Sequence, residues 1–316
     1  MRKSRTAILS CSALLLAAFA AFGSQHRPPQ IAAQRPPQPS TDAGAGRLIS
    51  LRLDSAPFPD QERSDGYYYD GEQFPRSGHY DDSTVAVFIP PDFAPKRVVD
   101  LVFFFHGWYS SVPESIQNFS LLRQFSESGA RALLVIPETA RDAPDSYGGK
   151  LEDQDGFDNL VTELLARLHD DGILPRVDAG AITLVGHSGA YRVMASIIGE
   201  RGAAKKVHAV YLFDGLYDDV ERYAAWISSG NGRFVAINSE EGDPAENARQ
   251  LIGLLQDDGI HVETGTDAPD DDSKVLRHRV VFLSTPYDHN SLVSSKDELK
   301  RVLAANVSPG AHEKRR

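Results

Sequence analysis

The sequence predicts an α/β domain with a mainly parallel sheet and helices on both faces, and three observations carry that expectation. Strand-like and helix-like segments alternate along most of 47–306. Two runs, 98–105 and 131–136, are almost continuously apolar, as central parallel strands covered on both faces must be. A third run, 181–187, passes through Gly186-His187-Ser188-Gly189 straight into a helical stretch at 191–198. That is a strand, a sharp turn and a helix, with a serine at the turn.

In chain order, 48–53 and 84–89 read as early strands, possibly antiparallel, with an aromatic loop, Tyr67-Tyr68-Tyr69-Asp70-Gly71, between them. Pro90-Pro91 ends the second strand. The 98–105 strand leads into His106-Gly107-Trp108-Tyr109, and 131–136 ends at Pro137-Glu138. Leu160, Val161, Leu164, Leu165 and Leu168 recur at helical spacing over 158–168. After the serine turn come a strand at 207–213, a helix at 218–227, a strand at 233–237, a helix at 244–255, a strand at 279–283 and a helix at 291–305. Such alternation implies right-handed crossovers, with reactive groups gathered at the carboxyl ends of the strands.

The flanks differ in kind. Met1-Arg-Lys-Ser-Arg5, an apolar run to Phe22 and small residues at 21–23 read as a secretory leader over 1–23, with an uncleaved anchor as the alternative. Cys11, the sole cysteine, lies inside it, so a cleaved chain has no disulfide and no thiolate chemistry. Residues 24–46 are rich in Pro, Gln, Ala and Gly and read as a disordered linker, and the polar stretch 307–316 as a fraying tail. The domain proper is 47–306. The chain carries a formal charge of −11, and losing Arg2, Lys3 and Arg5 with the leader makes it more acidic still. An acidic chain is a poor partner for nucleic acid and for anionic membranes, and no second membrane span is visible.

A serine forced into a sharp strand-to-helix turn is pushed above the sheet, and the following N–H, that of Gly189, faces the same space from a helix start. Ser188 is therefore the candidate nucleophile. It needs a base, and His289, in a loop between the last strand and the terminal helix, stands where one is expected. The third group, which orients the base, has two candidates: Asp214 at the end of 207–213, and Glu241 after 233–237. Asp214 is favoured because an unpaired carboxylate at the close of an apolar strand is costly to bury, and His289 is the natural partner. The second oxyanion donor is assigned to the Trp108 backbone, with Tyr109 as the alternative, and His106 is expected to brace that loop. Arg192, one turn beyond Ser188, is expected to anchor a neighbouring loop. Trp108, Tyr109, Tyr191, Tyr217 and Tyr287 adjoin these residues and are candidates for the walls of the site.

With His106-Gly107, the Gly186-His187-Ser188-Gly189-Ala190 turn and the order Ser188…Asp214…His289 in place, the domain resembles the α/β-hydrolase superfamily over nearly all of 47–306. The motifs around Ser188, Asp214 and His289 are similar to those of a group of exported bacterial hydrolase-like proteins. Ala190 departs from the superfamily's G-x-S-x-G pattern, where a second glycine stands. The resemblance implies a serine hydrolase acting through an acyl-enzyme, most simply on small-molecule or polymer-derived carboxylic esters, with no cofactor and no metal. An amidase or peptidase on peptide or cell-wall fragments would use the same residues, and a hydrolase-fold binding protein with an inactive site is the reading from another class. No long apolar insert suggests a lipase lid. The insert that is present, 256–274, is rich in Asp and Glu and is expected to be a solvated loop rather than a calcium site.

Overall fold

A computed structural model of the chain describes residues 46–200, 202–230, 232–267 and 274–306. The leader at 1–23, the linker up to residue 45 and the tail at 307–316 lie outside the described residues. Among the described residues no helix is long and apolar enough to cross a membrane.

The strands are β1 (Arg47–Arg52), β2 (Tyr67–Tyr69), β3 (Glu72–Phe74), β4 (Thr84–Ile89), β5 (Val98–Phe105), β6 (Ala132–Pro137), β7 (Asp178–His187), β8 (Val207–Phe213), β9 (Arg233–Ser239), β10 (Glu263–Thr266) and β11 (Val280–Thr285). The helices are α1 (Arg76–His79), a single kinked turn, then α2 (Val112–Asn118), α3 (Leu121–Glu127), α4 (Gly156–Asp170), α5 (Tyr191–Ile198), α6 (Val220–Ser229), α7 (Asp243–Asp257), α8 (Leu292–Ser295) and α9 (Glu298–Asn306). Nine strands form one sheet in the order β1-β4-β6-β5-β7-β8-β9-β11-β10. β4 is antiparallel to β1 and β6, and every other neighbouring pair is parallel.

The apolar runs explain the layering. Strand side chains alternate between faces. Leu101, Phe103 and Phe105 of β5 therefore enter the core under α4, α5, α6 and α7, beside Leu164, Met194, Tyr223 and Leu251. Val102 and Phe104 enter the opposite core with Val112 of α2, Phe125 of α3, Leu292 of α8 and Val302 of α9. Burying one such phenylalanine is worth roughly 1.5–3 kcal/mol, so each face of β5 is strongly committed. A smaller cluster, Phe58, Phe74, Tyr80, Ala140, Ala143 and Tyr147, packs at the side of the sheet where the serine turn emerges.

Three expectations need correction. The tyrosine run at 67–69 is the first strand of a hairpin: β2 pairs antiparallel with β3, Tyr67 opposite Phe74. The terminal helix is two, because Asp297 adopts φ +57° and breaks it between α8 and α9. The acidic insert, in its described part, is exposed over most of its length, Asp257 and Asp258 included, but it is not all loop. It ends α7, adds β10 to the sheet edge beside β11, and buries Asp267 completely against Lys296 and Arg301 at 2.9 and 2.7 Å.

That buried ionic group has a pH signature. Glu298 is also fully buried, and burial lifts its carboxyl to about 8, whereas hydrogen bonds from Lys296, Glu298 and Arg301 outweigh burial and hold Asp267 below the usual range. An unfolded glutamate ionises near pH 4.3. Between about 4.3 and about 8 the native state keeps a proton that the unfolded chain releases, so the stability from this group falls as pH rises through that window. Denaturant unfolding from about pH 5 to about pH 9 should show a weaker alkaline decline in Glu298→Gln than in the parent. An unchanged slope would refute the assignment.

Candidate active site

β7 delivers Ser188. Its last residues run from buried Ile182 to His187, and the chain then turns through Ser188 at φ +56°, a left-handed conformation that side chains rarely adopt. Small neighbours permit the turn. A Cβ on Gly186 would stand 2.3 Å from Met194 Sδ and 2.8 Å from Ala190 Cβ, so Gly186 provides the space in which Ala190 is buried. The alanine that departs from the superfamily pattern is thus accommodated by the glycine four residues before it.

The structure brings Ser188, His289 and Asp214 into one hydrogen-bonded chain. The Ser188 hydroxyl donates to His289 Nε2 at 2.9 Å, and His289 Nδ1 donates to Asp214 Oδ2 at 2.7 Å. Ser188 and His289 are partly exposed, whereas Asp214 is 2% exposed. Asp214 follows β8 at φ +45°, with its N–H bound to Ile237 O at 2.8 Å. Its other carboxylate oxygen accepts from Ser239 N at 2.8 Å and Ser239 Oγ at 2.7 Å, at the end of β9. Burial alone would raise this carboxyl. The hydrogen bonds from His289 and Ser239 outweigh it and hold Asp214 below the usual aspartate range, so it is ionised at neutral pH. Glu241 is exposed in the turn before α7, and no hydrogen bond joins it to His289.

The His289 loop is fixed from both sides. Asp288 accepts from the N–H groups of Asn290 and Ser291 and from the Ser291 hydroxyl, which shapes the turn and lowers its own pKa. From below, His187 Nε2 donates to the carbonyl of His289 at 2.9 Å, with the two rings 4.6 Å apart. His187 is buried, and burial, then the proximity of His289, lowers its pKa to about 4. It is neutral at working pH and acts as a fixed donor. Sequence shows His187 only as a member of the serine turn and gives no sign of this positioning role, because its partner lies 102 residues further on.

The loop after β5 forms the other wall. His106 bonds the Gly107 carbonyl and the Glu138 carboxylate, each at 2.9 Å, and Glu138 also accepts from Val112 N at the start of α2. The loop approaches the serine closely: a Cβ on Gly107 would lie 2.5 Å from Ser188 Cβ and 3.0 Å from its Oγ. Tyr109 N–H is committed to Ala143 O at 3.1 Å, which leaves the Trp108 N–H, next to Gly107, as the free donor of the pair. Gly189 N–H belongs to the first turn of the helical segment after β7, where such groups lack intrahelical acceptors. Gly107→Ala should therefore displace Ser188 or this loop by about an ångström and lower kcat by about 10²-fold, with the circular dichroism spectrum preserved. An unimpaired kcat would show that the loop has slack.

The rim is aromatic and acidic. The Trp108 ring covers Gly189, where an added Cβ would stand 2.5 Å from Trp108 Cδ1, and its Nε1–H donates to Ser146 Oγ at 2.8 Å. Tyr69 meets Trp108 edge-on at 5.4 Å, and Phe74 braces Tyr109 at 6.1 Å, so the hairpin extends this wall. Tyr217 stands edge-on to His289 at 6.3 Å and contacts Tyr191, while Tyr287 is half-buried against the core cluster on one face of the sheet. Burial, then neighbouring Tyr69, then the negative charges of Glu72, Asp70 and Asp142, raises the pKa of Tyr109. Arg192 pairs with Glu152 at 2.8 Å and faces the Tyr147 ring, and Glu152 also accepts from Gly148 N–H, so Arg192 anchors the 148–152 segment.

No family model and no curated protein matches the chain. Solved structures do. The substrate-bound fluorophosphonate-binding serine hydrolase F of Staphylococcus aureus matches with 11% identity and a TM-score of 0.51, covering 84% of this chain and 100% of that one. An S-formylglutathione hydrolase from Staphylococcus aureus matches with 10% identity and a TM-score of 0.51, over 83% and 99% of the two chains. The feruloyl esterase module from Clostridium thermocellum, complexed with sinapinate, matches with 11% identity and a TM-score of 0.51, over 85% and 92%. At these identities the likeness is one of architecture, and with the strand order and the serine turn it establishes that the chain has the α/β-hydrolase fold.

Proposed function

We propose that the chain is an exported serine hydrolase that cleaves carboxylic esters through an acyl-enzyme. The observation that carries this reading is the unbroken hydrogen-bonded chain from Asp214 through His289 to a partly exposed Ser188 held at positive φ. Ser188 Oγ attacks the ester carbonyl carbon while its proton passes to His289 Nε2. The carbonyl oxygen, now an oxyanion, is held by the Trp108 and Gly189 N–H groups. Collapse of the tetrahedral intermediate breaks the bond to the alkoxy oxygen, and the proton on His289 leaves with the alcohol. Water then repeats the sequence on the acyl-enzyme, giving up its proton to His289 and releasing the acid. Asp214 keeps Nδ1 protonated and stabilises the imidazolium without taking the proton.

The rim favours a substrate without negative charge. Trp108 and Tyr69 offer apolar ring faces beside the nucleophile, and the carboxylates of Asp70, Glu72 and Asp142 repel anions. The esterase names of the structural neighbours agree with this reading but share only the fold with this chain. The residues carry the argument.

A fluorophosphonate probe tests it. Labelling should occur at Ser188, as located by peptide mass spectrometry, and should block hydrolysis of a neutral p-nitrophenyl ester series from acetate to palmitate. Labelling without ester turnover would move the assignment to an amidase. A folded protein that neither labels nor turns over would be a binding protein.

A further inference from the structure

A second cluster of chemistry-bearing side chains lies away from the serine. His261, in the loop entering β10, Glu263, the first residue of β10, and His278, just before β11, converge so that one ligand atom from each lies within 4.8 Å of the others. His261 Nε2 stands 2.9 Å from Glu263 Oε1, and His278 Nδ1 stands 3.3 Å from the same oxygen. Because β10 and β11 are parallel, these residues sit at the amino ends of their strands, whereas Ser188, Asp214 and His289 all follow carboxyl ends. The two clusters occupy opposite ends of the sheet.

We propose that His261, Glu263 and His278 bind a zinc ion that ties the start of β10 to the segment entering β11. The donor set selects the metal class. Two imidazoles and one carboxylate suit a borderline transition ion, whereas calcium and magnesium require oxygen ligands throughout. The spacing agrees. At zinc–nitrogen and zinc–oxygen distances of about 2.0–2.1 Å, tetrahedral ligand atoms stand about 3.3 Å apart; the two His–Glu separations are 2.9 and 3.3 Å and all three ligand atoms lie within 4.8 Å, so small side-chain rotations would complete the site. Exposure of His261 and His278 gives the ion an entry path and leaves the remaining position to water.

The strand these residues would secure lies at the edge of the sheet and brings little packing of its own. β10 is Glu-Thr-Gly-Thr, mostly exposed, and it has no large apolar side chain to hold it to the core. Its far end is pinned by Asp267, whose N–H bonds Ser284 O and whose carboxylate meets Lys296 and Arg301. Its near end is held by Ile260 and Val262, which pack half-buried against the core, and by the His/Glu cluster at the surface. A zinc ion there would clamp the sheet's edge strand and keep its free backbone groups from pairing with another chain. The site is structural and independent of the proposed ester hydrolysis.

Titration calorimetry of the metal-free chain with zinc chloride should show one strong site. His261→Ala and His278→Ala should each weaken binding by roughly tenfold or more, and the paired variant should abolish it. Zinc should also slow hydrogen exchange at residues 263–266 and raise the unfolding midpoint, and both effects should vanish in the paired variant. Ester hydrolysis should be unchanged in all three variants, which also shows that they are folded. The proposal is overturned if no stoichiometric binding occurs or if the paired variant binds as tightly as the parent. It is equally overturned if the strong site disappears in His289→Ala, since the ion would then occupy the catalytic end.

Discussion

Replacing Ser188 with alanine should lower kcat for a neutral p-nitrophenyl ester by about 10⁶-fold, the scale on which losing a serine nucleophile acts in enzymes of this chemistry. The change removes one oxygen. Alanine keeps the Cβ that the turn already tolerates at φ +56°, and the side chain is only partly buried, so fold and stability should survive. What disappears is the atom 2.9 Å from His289 Nε2 that attacks the carbonyl and carries the acyl group. The Trp108 and Gly189 N–H groups would remain and should leave a residual rate about 10³-fold above the uncatalysed one, as oxyanion donors and binding do elsewhere. KM should change far less than kcat, because the rim that holds the substrate is untouched. Stopped assays over hours, with a tight limit on parent contamination, measure this. A loss of less than tenfold would mean that hydrolysis occurs without Ser188 and would remove the serine mechanism altogether.

How much of this could be read from the chain depends on where the information lies. β5 is legible because Val-Val-Asp-Leu-Val-Phe-Phe-Phe satisfies both of its faces by itself, and α4 because its leucines repeat at the helical period. The serine turn is legible because local sterics demand Gly186, Ser188 and Gly189 within four residues. β10 is not. Glu-Thr-Gly-Thr has no apolar pattern and is a strand only because β11 offers it an edge. The break at Asp297 carries neither glycine nor proline, and the hairpin at 67–74 shows a run of aromatics rather than an alternation. Among site residues, His289 could be placed by its position after the last strand. His187 could not, because its role is a hydrogen bond to a loop that only the sheet order brings above it.

The choice of acid was the open question at the site, and it yields the second large effect. Asp214→Asn should lower kcat by about 10⁴-fold at neutral pH, while Glu241→Gln should leave it within about twofold. The asymmetry follows from what each carboxylate touches. Asp214 is buried, with three donors converging on it: His289 Nδ1 on one oxygen, and the N–H and hydroxyl of Ser239 on the other. Asparagine can keep its oxygen toward Ser239, because both groups there are donors, and it then presents its NH₂ to His289. The ring must answer with an unprotonated Nδ1, which moves the proton to Nε2, the atom that has to accept from Ser188. The site would look intact and hold the wrong tautomer. The substitution also removes the negative charge that stabilises the imidazolium. Glu241 meets none of these conditions, being exposed and without a hydrogen bond to the ring. A variant that combines an unshifted unfolding midpoint with the large kcat loss would separate this electronic effect from misfolding. The reverse result, with Glu241→Gln inactive and Asp214→Asn active, would mean that the hydrogen bond at 2.7 Å is not the one that orients the base.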